Sequence, residues 1–355
     1  MDQSPLDLKT LTLPELVSLV ESLGEPSFRA KQIFRWLHKG GVAAFDEMTN
    51  VPARLRTLLR DRSRIGTARL IKEVQSSDGT VKFLFELESG NRFETVLIPD
   101  FDSDGVAKRL TVCVSSQVGC AMGCTFCATG TMGFKENLSA GVIVDQVRFV
   151  DQRARGQYGR GVTNVVFMGM GEPLLNYDQV LLACQLLNNP DIFGLSYKRV
   201  TVSTVGLAKQ IERLADDGIP ASLAVSLHAP DDTKRSSIMP VNRSERTDLT
   251  ALRIAIQHYV RVTGKRVTYE YCMFDGFNDS VTDAVNLARV ASWAPSKVNL
   301  IMYNPVLGKD FQPTPEERLN QFIQVLVDNE VTVTVRRSRG QDIDAACGQL
   351  AASAG

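Results

Sequence analysis

From about residue 109 onward, short apolar runs alternate with amphipathic stretches, and this alternation restricts the fold more than any other feature of the chain. Strands are predicted at Leu110–Ser115, Asn164–Met168, Arg199–Ser203, Ala221–Leu227, Val267–Met273, Val298–Met302 and Val331–Arg336. Helices are predicted between them, among others at Ser139–Gln152, Tyr177–Leu187, Leu249–Val262 and Pro315–Asp328. Crossover helices make successive strands parallel, so the pattern predicts an α/β barrel or open sheet whose strand C-terminal ends line the site. At 355 residues there is room for a modest second domain.

That second domain is predicted ahead of the barrel. Thr12-Leu13-Pro14-Glu15 fits a capping box, a second helix places Ala30, Ile33, Phe34 and Leu37 on one face before Gly40-Gly41, and a third spans roughly 52–62. Val81, Phe83, Phe85 and Leu87 then alternate with less apolar residues, and Ser89-Gly90-Asn91 turns into Phe93–Ile98, a β-hairpin signal. Residues 28–64 hold nine Lys and Arg against three acids. Such a run is either a solvated helix surface or a patch for an RNA backbone.

Lys+Arg and Asp+Glu both total 40, so no overall field draws in nucleic acid and any such contact is local. No apolar run is long enough for a transmembrane helix. The opening MDQSPLDLKT has no apolar core of a signal peptide, so the cytoplasm is expected. The seven cysteines are an odd number, and three crowd into Cys120-Ala-Met-Gly-Cys124-Thr-Phe-Cys127, a poor layout for a secreted disulfide framework.

Three thiolates at this spacing can wrap an iron–sulfur cluster and leave one iron without a protein ligand. The alternative is a zinc site completed by Cys113 or a distant residue. The aromatic Phe126 and the preceding strand favour the cluster. With φ an aromatic residue, the CxxxCxφC pattern resembles the radical S-adenosylmethionine (radical-SAM) superfamily. That resemblance implies a partial (βα)6 radical-SAM barrel carrying a [4Fe–4S] cluster on Cys120, Cys124 and Cys127. Its open iron holds SAM, which is cleaved reductively to a 5′-deoxyadenosyl radical.

Met168-Gly169-Met170-Gly171-Glu172-Pro173 follows the second strand; its glycines let backbone approach a ligand and its carboxylate can receive an ammonium group. It resembles the superfamily's GGEP motif, mapping SAM contacts onto Gly171 and Glu172. Ser203, the run Ser226-Leu227-His228 and Asn304 stand at or just beyond later strand ends. Caps and turns explain each alone; the resemblance assigns all five to SAM.

Cys113 lies on the first barrel strand, and Cys347 lies in Asp342-Ile343-Asp344-Ala345-Ala346-Cys347-Gly348-Gln349-Leu350, a loop able to reach the barrel mouth. These segments resemble the RlmN/Cfr family of RNA adenosine methyltransferases, together with 28–33, Glu94-Thr95-Val96, Ser115–Cys120, GMGEPL and Ser226–Pro230. The family's mechanism implies that Cys347 is S-methylated by one SAM. A second SAM then provides the radical that takes a hydrogen atom from that methyl, and the thiomethylene adds to adenine. Glu94 removes the ring proton, and Cys113 resolves the adduct by a disulfide with Cys347. Cys184 and Cys272 match no motif and are expected in the core.

RlmN members methylate carbon 2 and Cfr members carbon 8. Gly171–Leu174 and Arg336–Gly340 resemble the former, while Ser203-Thr204-Val205-Gly206 and Met302-Tyr303-Asn304-Pro305 depart from the usual STSG and PWNP and leave the local pocket shape open. The resemblance implies 23S ribosomal RNA as substrate, with tRNA for some members, a low-potential electron donor such as flavodoxin, and a cytoplasmic monomer without membrane contact. The expected division is an RNA-recognition domain at 1–92, the barrel at 93–345 and a catalytic-cysteine loop and tail at 338–355. A radical-SAM enzyme acting on protein, or a non-catalytic iron–sulfur RNA-binding protein, would share the cysteine cluster.

Overall fold

The computed structural model describes residues 5–219, 221–244 and 247–351. Residues 1–4 of the leader and 352–355 of the tail considered above lie outside this set. Thr12 opens α1 (Leu13–Ser22) with the predicted capping box: its side chain accepts from the Glu15 N–H, and Glu15 accepts from the Thr12 N–H at 2.7 Å. α2 (Phe28–Arg35) buries Ala30, Ile33 and Phe34, then widens through Trp36–Gly40 and stops at Gly41. Gly41 has φ 66°, and a Cβ there would lie 1.7 Å from the Arg148 guanidinium, so only glycine fits. α3 (Ala53–Arg62) follows.

Much of the local positive charge is spent internally, because Arg56 and Arg60 reach Asp46, Arg64 reaches Glu88 and Arg35 reaches Asp191. Lys31, Lys39, Arg54 and Arg62 make no ion pair among the described residues. Beneath the helices Lys9 is fully buried, its Nζ 2.6 Å from Asp145 Oδ2, and Arg148 donates to the other oxygen at 2.8 Å. This charged contact docks the helical region on the barrel.

Ten strands form one sheet in which spatial order follows chain order. They are β1 (Ala68–Gln75), β2 (Val81–Leu87), β3 (Arg92–Phe101), β4 (Ala107–Cys113), β5 (Asn164–Phe167), β6 (Val200–Thr204), β7 (Ser222–Ser226), β8 (Val267–Met273), β9 (Ser296–Met302) and β10 (Val333–Arg336). β1 to β4 pair antiparallel; β4 to β10 are parallel throughout. The crossovers include α4 (Ala140–Tyr158), α5 (Tyr177–Asn188), α6 (Ala208–Asp216), α7 (Leu249–Thr263), α8 (Val281–Ala291) and α9 (Glu316–Asp328). Six strand–helix units and a closing strand make the expected partial (βα)6 barrel, with the hairpin continuing its sheet.

Period-two alternation sorts the side chains of each strand. On β8, Val267, Tyr269 and Tyr271 are fully buried, while Thr268 and Glu270 line a cavity in the barrel. The same cavity takes Thr111, Thr201, Asn299 and Thr334 from β4, β6, β9 and β10. A polar interior of this kind suits a ligand rather than a packed plug. β1 was not predicted: as the edge strand it has no buried residue and so no apolar face to announce it. β4 ends at Cys113, two residues earlier than predicted, because residues 117–119 leave the sheet to pair with Phe134–Asn137.

Candidate active site

The three cysteines of the cluster motif lie in the loop that joins the two strands of that ribbon. Cys120 N–H donates to Gly133 O at 3.1 Å, Cys127 N–H to Cys124 O at 3.2 Å, and Thr125 N–H to Ile238 O at 3.0 Å, so backbone bonds shape the loop. Phe126 packs its ring 5.0 Å from His228 and 5.3 Å from Phe274, which explains the aromatic before the third cysteine. Burial pushes the Cys120 thiol up to about 12 and the Cys124 thiol higher still. Among the described residues no three His, Cys, Asp or Glu side chains converge on one ion position. Three thiolates on one short loop suit an iron–sulfur cube, which spreads its thiolates over separate corners and can leave one iron without a protein ligand; the donor set fits the cluster.

A cavity of about 120 Å³ is lined by Gly171, Glu172, Ser203, Ser226 and His228, and by Cys347. Strand ends supply most of it. Ser203 Oγ and Ser226 Oγ lie 3.4 Å apart. Glu172 accepts from the Leu174 and Val205 N–H groups at 3.0 and 2.8 Å, and burial raises its carboxyl to about 7. His228, at φ 55°, takes the Cys272 N–H on Nδ1 at 3.0 Å, which fixes the proton on Nε2. Burial depresses its imidazole to about 3, so the ring is neutral. Leu227 is fully buried, and its N–H is committed to Glu270 O at 2.9 Å; it is not among the lining residues.

Cys113 and Cys347 line one small neighbouring cavity of about 30 Å³, together with Asn304 and Arg336. Asn304 serves the cysteine loop: it donates to Cys347 O at 3.2 Å and accepts from Gln341 Nε2 at 2.8 Å. Cys347 is exposed to the cavities it lines, yet enough protein surrounds it to raise its thiol, with Arg336 pulling the other way. Burial pushes Cys113 up to about 12. The loop is tied on both sides. Ala128 N–H donates to Gly348 O at 2.8 Å, anchoring it to the cluster loop. Asp342 accepts from Ser76 Oγ at 2.6 Å and Ser77 N at 3.1 Å, anchoring it to the β1–β2 turn. Glu94 is buried, 3.1 Å from Lys82 Nζ, and accepts from the Ala351 N–H at 3.0 Å.

Motif reading missed Glu270, Arg336 and Met168. Met168 lines all three cavities around the cysteines, and Glu270 lines two of them. Their inward register on β8 and β10, and just beyond β5, is the one signal that could have found them. Cys184 and Cys272 are buried as expected.

The model of the radical SAM superfamily matches residues 114–288, so barrel and cysteine loop define a radical-SAM protein, a class that carries a [4Fe–4S] cluster and SAM. The model of the ribosomal RNA large subunit methyltransferase N-terminal domain matches residues 6–65. The probable dual-specificity RNA methyltransferase RlmN of Salinibacter ruber is 57% identical over 98% of this chain and 94% of its own. The dual-specificity RNA methyltransferase RlmN of Anaeromyxobacter sp. (strain Fw109-5) is 45% identical over 98% and 91%. The crystal structure of a radical SAM methyltransferase from Sphaerobacter thermophilus superposes with a TM-score of 0.89 at 45% identity, covering 98% of this chain and all of that one. The chain belongs to the RlmN family.

Proposed function

We propose that this chain is a radical-SAM RNA methyltransferase that forms 2-methyladenosine in 23S ribosomal RNA and in tRNA through an S-methylated Cys347. The observation that carries this reading is the placement of Cys347, whose loop sits against the cluster loop and whose side chain lines both the Glu172–His228 cavity and the Cys113 cavity. One sulfur thus stands between a ligand pocket and a second thiol.

Cys120, Cys124 and Cys127 would hold the cluster; with SAM bound, the pair supplies a methyl group and a 5′-deoxyadenosyl radical. Glu172, on a turn that needs Gly171, takes the SAM ammonium. Ser203, Ser226 and the neutral His228 surround the rest, Leu227 fixes the strand end between the last two through its N–H to Glu270 O, and Asn304 orients the cysteine loop beside it. Carbon 2 of adenine has no lone pair to attack a methyl sulfonium, so Cys347 Sγ takes the methyl first and uses one SAM. Loss of a hydrogen atom from that S-methyl, driven by a second SAM, makes the carbon reactive toward the ring. Glu94 would accept the ring proton and Cys113 would attack Cys347 Sγ to form a disulfide that frees the carbon from sulfur; the Cys113 thiol proton completes the methyl group, and the odd electron left by radical addition would return to the low-potential reductant that supplied it.

In this reading residues 1–92 recognise RNA, 93–345 form the barrel and 338–355 form the catalytic-cysteine loop and tail. The enzyme works as a cytoplasmic monomer with a low-potential donor such as flavodoxin; no described helix is long and apolar enough to cross a membrane. Nucleoside mass spectrometry of RNA treated with the reconstituted enzyme tests the proposal. The parent yields 2-methyladenosine and Cys347→Ala yields none; 8-methyladenosine, or product from the variant, overturns it.

A further inference from the structure

The proposed steps leave the fully buried Arg235 unused. It lies on the short helix Asp232–Ile238, between β7 and α7. Its Nη1 donates to Thr247 O at 2.8 Å and to Asn242 Oδ1, its Nη2 donates to Val205 O, and its Nε has no partner among the described residues. Every one of these acceptors is neutral, and no carboxylate among the described residues pairs with the guanidinium. Asp232 and Asp248 act on it only from a distance, since each spends an oxygen on a backbone N–H of α7, Asp232 on Leu249 and Asp248 on Ala251. Buried charges are as a rule paired or bound to a metal site, so a lone one marks a place where negative charge arrives with a ligand.

Two sets of contacts show which ligand. The segment carrying Arg235 packs on the cluster loop: Thr125 N–H donates to Ile238 O at 3.0 Å, and a Cβ on Gly123 would meet Pro240 at 4.0 Å. Burial raises the Cys124 thiol, and Arg235 pulls it the other way. Burial also lowers the guanidinium to about 10, against the pull of Asp232, Cys124 and Asp248, so it stays a cation at neutral pH. On its other side Val205, whose O accepts from Arg235, gives its N–H to Glu172 Oε2 at 2.8 Å. One peptide thus joins the guanidinium to the carboxylate of the SAM pocket. A cluster held by three thiolates is already negative, and an electron from the donor adds one more negative charge. A buried cation nearby favours that reduced state.

We propose that Arg235 sets the reduction potential of the cluster, its unpaired guanidinium behind the cluster loop making the electron easier to accept. Its hold on Val205 ties that charge to the carboxylate that receives SAM. The inference rests on the radical-SAM reading above and adds to it a positioning residue that acts on the cluster through space.

Redox titration of the anaerobically reconstituted holoenzyme without SAM, followed by the electron paramagnetic resonance signal of the reduced cluster, tests it. Arg235→Gln and Arg235→Met serve as neutral variants and Arg235→Lys as the charged one, each checked for iron content and Tm. Met is included because an apolar side chain of similar length often replaces a buried charge without loss of folding. A unit charge about 10 Å from a redox centre, at an effective dielectric constant of about 20, shifts a one-electron equilibrium roughly tenfold, which is about 59 mV. The neutral variants should fall below the parent by about that amount, and Arg235→Lys should return most of the way. Neutral variants that keep the parent's midpoint potential overturn the proposal, as does Arg235→Lys falling as far as they do. If both neutral variants lose the fold or the iron, Arg235 is structural and the proposal is again overturned. A parent that takes up no four-iron cluster overturns the radical-SAM reading itself.

Discussion

Replacing Gly171 with alanine should damage both stability and SAM binding, by amounts that follow from its surroundings. Gly171 has φ 100°, and a Cβ there would fall 2.5 Å from Gln117 Cβ and 2.9 Å from Gln117 N. The positive φ costs a side-chain-bearing residue about 1–2 kcal/mol, and displacing packed neighbours adds about 1–3 kcal/mol. Unfolding entropy of about 2.1 cal/mol/K per residue over 355 residues turns that total into a drop in Tm of roughly 3–7 °C. The harm reaches the ligand as well, because Gln117 Oε1 accepts the Glu172 N–H at 2.8 Å and moving Gln117 moves the carboxylate. SAM affinity should fall about tenfold, the equivalent of about 1.4 kcal/mol. Scanning calorimetry and equilibrium dialysis of SAM read the two effects. A Tm within about 1 °C of the parent together with unchanged SAM affinity refutes the reasoning.

Three further outcomes are expected. Asp145→Ala leaves the buried Lys9 ammonium without its carboxylate and should cost about 3–5 kcal/mol in urea unfolding, whereas Lys9→Met costs less because Arg148 still pairs with Asp145. Burial raises Glu172 to about 7, so the ligand-free protein holds a proton there that the unfolded chain has released, and its stability falls as pH rises from the ordinary carboxylate range through about 7. SAM needs the ionised form, so its affinity rises over the same window; titration calorimetry at several pH values shows this in the parent and a flat profile in Glu172→Gln. Asp342→Ala removes the acceptor for Ser76 and Ser77, and hydrogen exchange at 340–347 should quicken while β8 and β9 keep their protection.

Local chemistry made much of the architecture legible. Thr12 and Glu15 announce a helix start because both partners of the capping box lie within one turn. Val267, Tyr269 and Tyr271 announce a strand because one face of β8 packs under helices. Cys120, Cys124 and Cys127 announce a candidate metal site because all three thiols fall within one short loop. What stayed hidden depends on distant parts of the chain meeting. Nothing near Asn304 tells that its amide is occupied by the Cys347 loop, and nothing near Ser76 tells that a turn of the hairpin grips Asp342. Glu270 alternates correctly on its strand, yet only the closed barrel turns that register into a carboxylate beside a cavity. β1 escaped because an edge strand with no buried face carries no apolar period.

The claim on which the account turns is that the one-carbon unit travels on Cys347 and loses a hydrogen atom there. Feeding SAM with a fully deuterated methyl group and weighing the 2-methyladenosine product tests this most directly. Passage through the S-methyl of Cys347 leaves two of the three deuterium atoms in the product; a product that keeps all three contradicts the account.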